Sequence, residues 1–262
     1  MSDLPDDIKA IFLDLDGTMY MGDNLIEGAL EFLERCQQRD IATFFLSNNS
    51  SRSVHQYKQK LSGLGIDATD DQILLSTHDL LAWLKKNDVT ETWAIATQGM
   101  CDMLEHVGIS TRSESPQFVV LGYDTEINYE KIATGSIHLH AGVPLVASHP
   151  DMVCPSPQGG LPDTGAYLAM LEATTGVKPT HICGKPNPGM ILHKIEALGL
   201  TPQQCVMVGD RLYTDIAMAN RSGVHSVLVL TGEATRDDVK DLPEDSESQP
   251  TYILNSVAEL VR

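Results

Sequence analysis

The chain has 262 residues, 42% of them hydrophobic, which is enough for one large core or for two domains. Its 36 acidic residues outweigh 18 basic ones, giving a formal net charge of −18. Such a field disfavours nucleic-acid polymers and anionic membranes as partners, and any phosphate site has to be built locally.

Five scattered cysteines without a C-x-x-C pair predict reduced thiols in a cytoplasmic protein rather than a disulfide framework. The acidic opening MSDLPDDIK is unlike a secretory signal, and no apolar run approaches the roughly 20 residues of a membrane span.

Taken in order, Ala10-Ile11-Phe12-Leu13 reads as a buried strand that ends at Asp14. Leu15, Asp16, Gly17 and Thr18 follow, so two carboxylates sit where parallel sheets bind their ligands. Glu27 to Arg39 has helical spacing, and Ile41 to Leu46 is a second apolar strand. The polar run Ser47-Asn48-Asn49-Ser50-Ser51 precedes a helix over about 53–64. Such side chains suit an anion at a helix start, although helix capping alone also explains them. Strand, helix, strand, loop, helix is a βαβα pattern and predicts a parallel sheet.

Short strands are expected near 72–75, 92–96, 118–121 and 143–147, with helices over 77–86 and 129–140. These roughly 100 residues are enough for a second domain. His138 and His140 lie two apart, on different faces of a helix, so a shared metal is not expected there. Another helix runs from the Asp163 region to about Ala173.

A strand near 180–183 then leads into Gly184-Lys185-Pro186-Asn187-Pro188, with Asn187 as expected N-cap and Gly199 closing the helix. Cys205 to Val208 is a buried strand ending at Gly209-Asp210, and Asp215 follows five residues later. His225 to Leu230, Tyr252 to Leu254 and a terminal helix close the chain. The acidic stretch 237–247 reads as a solvated loop.

The strand ends therefore carry Asp14, Asp16, Ser47, Lys185, Asp210 and Asp215. Carboxylates that converge repel one another and call for a cation, and an all-oxygen site suits Mg²⁺. Lys185 adds a compact positive charge. The fitting chemistry is phosphoryl transfer to a carboxylate followed by hydrolysis, with a second carboxylate as general acid and base.

DLDGT at Asp14–Thr18, SNNS at Ser47–Ser50, GKPNP at Gly184–Pro188 and GDRLYTDI at Gly209–Ile216 resemble the four ordered motifs of the haloacid dehalogenase (HAD) superfamily. The long insert between the second and third resembles the type-2 cap of its NagD-like or p-nitrophenylphosphatase-like branch. The resemblance implies an α/β fold: a parallel Rossmann-like core over 1–77 and 179–262, with an inserted α/β cap over 78–178. It implies a Mg²⁺-dependent phosphatase of a small phosphate ester and is compatible with a homodimer through the cap.

Carried over by motif, Asp14 is the nucleophile, Asp16 the acid/base, and Lys185 steadies nucleophile and phosphate. Gly17, Thr18, Ser47, Asn48 and Asn49 bind the phosphoryl group. Asp14, the Asp16 carbonyl and Asp210 hold the metal, with Asp215 orienting it.

Two segments depart from the branch pattern. Ser148-His149-Pro150-Asp151 stands where T-N-P-D is usual, and Pro162-Asp163-Thr164-Gly165 where P-G-[AT]-G is usual. His149 and Asp163 are therefore the expected substrate contacts of the cap, against an equal alternative in which Asp163 only caps the helix running on to Ala173 and His149 is solvated. The competing readings are a mutase of the same superfamily and a receiver-type phospho-acceptor domain. The latter needs no cap and lacks the acid two residues after the acceptor.

Overall fold

Apolar β-branched and aromatic runs bounded by polar turns build two parallel sheets. The computed structural model describes residues 5–156 and 158–260. The strands of the larger sheets, in chain order, are β1 (Ala10–Asp14), β2 (Ala42–Ser47), β3 (Ile73–Leu75), β4 (Thr92–Ile95), β5 (Phe118–Leu121), β6 (Leu145–Ala147), β7 (His181–Ile182), β8 (Cys205–Gly209), β9 (His225–Val229) and β10 (Tyr252–Leu254). The chain divides into two units. One runs up to Ser47, takes up Tyr57–Leu74 and resumes at Lys185; the other is Asn48–Gln56 with Leu75–Gly184.

The first unit holds a six-stranded sheet in the order β10-β9-β8-β1-β2-β3. The central strand β1 pairs in parallel with β8 on one side and β2 on the other. Every residue of β1 is buried. That explains its unbroken apolar run, because a parallel strand is covered on both faces. Phe12 and Phe44 stack at 5.4 Å between ring centroids. With Leu46, Met190, Ile191, Met207 and Met218 they form one core layer. Burying each such side chain stabilises the fold by roughly 1.5–3 kcal/mol.

Register then decides where the chemistry goes. Leu13 lies opposite Val208 and Asp14 opposite Leu46. The carboxylates that terminate β1 and follow β8 therefore emerge side by side at the carboxyl edge of the sheet.

The second unit is a four-stranded sheet, β7-β6-β5-β4, with all its pairings parallel. Alternate residues of β5 point into separate layers. Val120 joins Leu80, Leu84 and Met100, whereas Val119 and Leu121 join Leu139 and Leu171. An antiparallel ribbon pairs Val153–Cys154 with Leu161–Pro162 just before the helix Thr164–Thr175.

Both units are α/β with parallel sheets, as the βαβ rhythm predicts. Some local expectations are corrected. Pro188 rather than Asn187 caps the helix Gly189–Leu198, and Gly199 closes it in the left-handed region. Among the described residues the terminal helix is a single 3₁₀ turn, Val257–Glu259. The start of the acidic stretch folds as a short helix, Arg236–Lys240, because Thr235 caps it. The helix Gln98–His106 was not anticipated; Thr97 caps it by accepting from the Met100 N–H.

Candidate active site

Asp14, Asp210 and Asp215 converge at the carboxyl edge of the six-stranded sheet, with one carboxylate oxygen of each within 4.8 Å of the others. All three are buried. Three anions in so little space are tolerable only with a counter-charge. Lys185 supplies part of it. Its ammonium forms a short ion pair with Asp14 Oδ1 and donates to Asp215 Oδ1 at 2.8 Å. Burial works against the ammonium, but Asp14 and Asp215 more than offset this and hold the lysine above its usual range.

One lysine does not balance three carboxylates, and the proton affinities show the shortfall. Burial pushes the Asp14 carboxyl up to about 8; Lys185 opposes the shift, and the charges of Asp215 and Asp210 add to it. Burial and the Asp215 charge push Asp210 up to about 6, against a backbone hydrogen bond from Glu233. Asp14 and Asp210 are therefore short of positive charge.

The hydrogen-bond pattern says where a cation would complete the set. The Glu233 N–H donates to Asp210 Oδ2 at 2.7 Å, whereas Asp210 Oδ1 is buried with no partner among the described residues. A buried carboxylate oxygen without a donor is costly, and metal coordination is an ordinary remedy. Asp215 sits in a π-helical turn, Leu212–Ile216, and its Oδ2 accepts from the Arg211 N–H at 3.1 Å. Such turns recur at functional sites because they re-aim one side chain without ending the helix.

Asp16 and the phosphate-side residues follow β1 and β2. Asp16 is exposed, in a tight turn where the Gly17 N–H donates to the Tyr20 carbonyl at 2.8 Å. Gly17 takes φ +88°, and a Cβ there would lie 2.5 Å from Asp210 Oδ2. Conformation and space both require glycine. Thr18 Oγ1 is buried and unpartnered among the described residues. Ser47 ends β2, and its Oγ lies 2.8 Å from the Tyr57 hydroxyl.

Asn48, Asn49, His149 and Asp163 belong to the second unit. Asn48 Nδ2 donates to Asp151 Oδ1 at 3.1 Å, and the Asn48 carbonyl accepts from Ser76 Oγ at 2.6 Å. Asn49 Oδ1 closes a local turn by accepting from the Ser51 N–H at 2.9 Å.

His149 and Asp163 meet each other, with 2.9 Å between Nε2 and Oδ1. Asp163 also caps the helix Thr164–Thr175 through the Thr164 N–H at 2.6 Å. A carboxylate only accepts, so His149 Nε2 carries a proton and donates. Ser148 Oγ lies 2.9 Å from His149 Nδ1 and 2.9 Å from Ser50 Oγ, which also accepts from the Tyr123 N–H. The departure from T-N-P-D thus comes with a buried polar chain running from Ser50 to Asp163. Sequence reasoning missed Ser50 and Ser148 as its links, and Asp151 as the partner of Asn48. The serines are too common to stand out, and the contact partners are 98 and 103 positions away.

The model for haloacid dehalogenase-like hydrolases matches residues 11–110, and a HAD-hydrolase-like model matches 182–260. A 5'-nucleotidase, YutF, from Bacillus subtilis is 34% identical over 256 residues, covering 97% of each chain. The chain belongs to the haloacid dehalogenase-like hydrolases.

Within that family it falls in the NagD-like, p-nitrophenylphosphatase-like branch. A 4-nitrophenylphosphatase from Thermotoga maritima superposes with a TM-score of 0.92 at 37% identity, covering 98% of this chain and 97% of that one. A glycerol phosphate phosphatase from Mycobacterium tuberculosis, solved in complex with magnesium, gives a TM-score of 0.91 at 28% identity. The match spans 100% of this chain and 79% of that one. Like these HAD relatives, the chain is a phosphatase.

Proposed function

We propose that this HAD phosphatase hydrolyses the phosphomonoester of a small metabolite, such as a sugar phosphate or nucleoside monophosphate, through an aspartyl-phosphate on Asp14. One observation carries the reading: a buried trio of carboxylates neutralised in part by Lys185, with an oxygen on Asp210 unpartnered among the described residues. Asp14, the Asp16 carbonyl and Asp210, backed by Asp215, would hold Mg²⁺, which when bound neutralises carboxylates and substrate phosphate together.

Lys185 steadies the Asp14 carboxylate through Oδ1 as that carboxylate attacks phosphorus. As the new P–O bond forms, the ester P–O bond breaks and Asp16 gives its proton to the departing oxygen. Asp16 then takes a proton from the water that attacks the aspartyl-phosphate, releasing inorganic phosphate and restoring Asp14. Lys185, Thr18, Ser47 and the Asn48–Asn49 loop serve the phosphoryl oxygens.

The deciding experiment is phosphate release from p-nitrophenyl phosphate with and without Mg²⁺, then a screen of phosphorylated metabolites. Asp210→Ala is expected to weaken Mg²⁺ on the order of 100-fold, because a ligand is lost and the Asp14 charge is left unbalanced. EDTA should reproduce the loss in the native protein. Full activity in EDTA would sink the metal assignment.

The core residues address only the phosphoryl group, so preference among esters falls to the second unit, with His149 and Asp163 as its proposed polar determinants. A carboxylate there disfavours leaving groups that carry a second anion and favours hydroxyl- or amine-bearing ones. Asp163→Gly is expected to shift relative kcat/KM toward carboxylate-bearing substrates. It should also cost about 1–2 kcal/mol of stability, because the helix loses its cap and His149 its acceptor. Lower stability with a uniform change across all substrates would reduce Asp163 to a helix cap.

A further inference from the structure

A segment outside the four motifs closes on the carboxylate cluster. After β9 the chain runs through Thr231, Gly232 and Glu233, and each touches the machinery differently. Thr231 Oγ1 donates to the Gly17 carbonyl at 2.5 Å, across 214 positions of sequence. The Glu233 N–H donates to Asp210 Oδ2 at 2.7 Å, and the Ala234 N–H to the Asp210 carbonyl at 3.0 Å. Glu233 also pairs with Arg211 Nε at 2.9 Å, gripping the residue next to Asp210.

Gly232 is the informative member. A Cβ there would lie 2.0 Å from Asp210 Oδ2, 2.5 Å from Cγ and 2.6 Å from Cβ. Gly232 does not lie in the left-handed region. An L-residue could adopt its backbone, so the glycine is needed for space alone. Asp210 is buried, with Gly17 pressing the same oxygen from another side, and it cannot simply swing away.

We infer that Thr231-Gly232-Glu233 is a positioning element. It clamps Asp210 Oδ2 between two glycines and a backbone donor so that Oδ1 alone faces the metal position, and it ties the Asp16–Gly17 turn to the same frame. This rests on the reading of Asp210 as a Mg²⁺ ligand. A carboxylate free to rotate would present either oxygen, or both, and would spend binding energy on being ordered. Held as it is, that cost falls on folding rather than on metal binding.

The test is Mg²⁺ titration by calorimetry on the full chain, with unfolding midpoints measured in EDTA. Gly232→Ala is expected to weaken Mg²⁺ by about 10- to 100-fold, the range typical of losing support behind a metal ligand. Thr231→Val, which keeps shape but loses the donor, should weaken it several-fold with a near-native midpoint. Thr231→Ser should restore native affinity, which a purely structural role for the methyl group would not predict.

If Gly232→Ala fails to fold, the Val and Ser pair at Thr231 decides. Native Mg²⁺ affinity in Gly232→Ala and Thr231→Val, with Asp210→Ala strongly impaired, overturns the positioning role alone. Native affinity in Asp210→Ala overturns the metal reading itself.

Discussion

Asp14→Asn is expected to remove phosphatase turnover, by about 10⁴-fold or more, while leaving the metal-free protein at least as stable as the native one. An amide cannot attack phosphorus, which accounts for the activity. The stability follows from the charge imbalance. Lys185 keeps Asp215 as a partner at 2.8 Å when Asp14 is neutralised, so no buried cation is orphaned. What disappears is one of three mutually repelling buried carboxylates. The nucleophile is thus held in place at a cost to stability, as catalytic groups often are.

The pH dependence gives a second reading of the same residue. Asp14 has its folded value raised from 3.8 to about 8, chiefly by burial. A raised carboxyl binds its proton more tightly in the folded state. Its stabilising contribution is therefore complete below about 4 and is lost as pH rises toward 8. Asp210, raised to about 6, loses its share at lower pH. In EDTA the native midpoint should fall between pH 5 and pH 8 for this reason, and Asp14→Asn should flatten part of that fall. Added Mg²⁺ should raise the native midpoint most at pH 8, where protons no longer compete for the carboxylates. Thermal unfolding at pH 5, 6.5 and 8 checks both points. Appreciable turnover by pure Asp14→Asn, or a midpoint several degrees below native at pH 8, would remove Asp14 as the strained nucleophile.

Much of this arrangement could be read from sequence, for a specific physical reason. A parallel strand buried on both faces must be apolar throughout, so a carboxylate that ends such a run marks the sheet edge by itself. Asp14 after Ala10–Leu13 and Asp210 after Cys205–Val208 both announce their positions in this way, and β1 and β8 are indeed neighbours.

Legibility failed where partners are distant or residue types are ordinary. Gly232 and Thr231 look like a plain strand-to-loop turn, yet one packs on Asp210 and the other reaches Gly17. Gly232 lies outside the left-handed region, so its φ does not single it out. The helix Gln98–His106 was overlooked although Thr97, Met100, Cys101 and Leu104 carry its cap and its buried stripe. The expected terminal helix is, among the described residues, one 3₁₀ turn that Ser256 caps by accepting from the Ala258 N–H. At Asp163, sequence left capping and substrate contact open. The structure gives the residue a cap and a histidine partner together.

Asp16→Asn is expected to retain phosphate and Mg²⁺ binding while slowing hydrolysis of alkyl phosphates on the order of 10³-fold, within the usual worth of a general acid–base. Asp16 stands exposed at the turn after β1, unlike the buried trio, so its side chain is free to meet a leaving group. Desolvation in the turn pushes its carboxyl above the usual range, and the positive charges of Lys60 and Arg211 oppose this. The net rise favours the protonated acid that the first step needs. The same residue must act as base in the second step, so the amide impairs both.

An aryl ester separates the two steps. p-Nitrophenolate leaves without protonation, so phosphorylation of Asp14 should stay fast in the variant. Breakdown of the aspartyl-phosphate, which still lacks its base, should be slow. Rapid mixing with p-nitrophenyl phosphate is therefore expected to give a burst of about one equivalent of p-nitrophenolate per site, followed by slow turnover. An alkyl phosphate should show no burst, because its first step is already impaired. Equal losses on both esters with no burst on either would mean that Asp16 does not protonate the leaving group. Its carboxylate would then serve the turn or the metal instead.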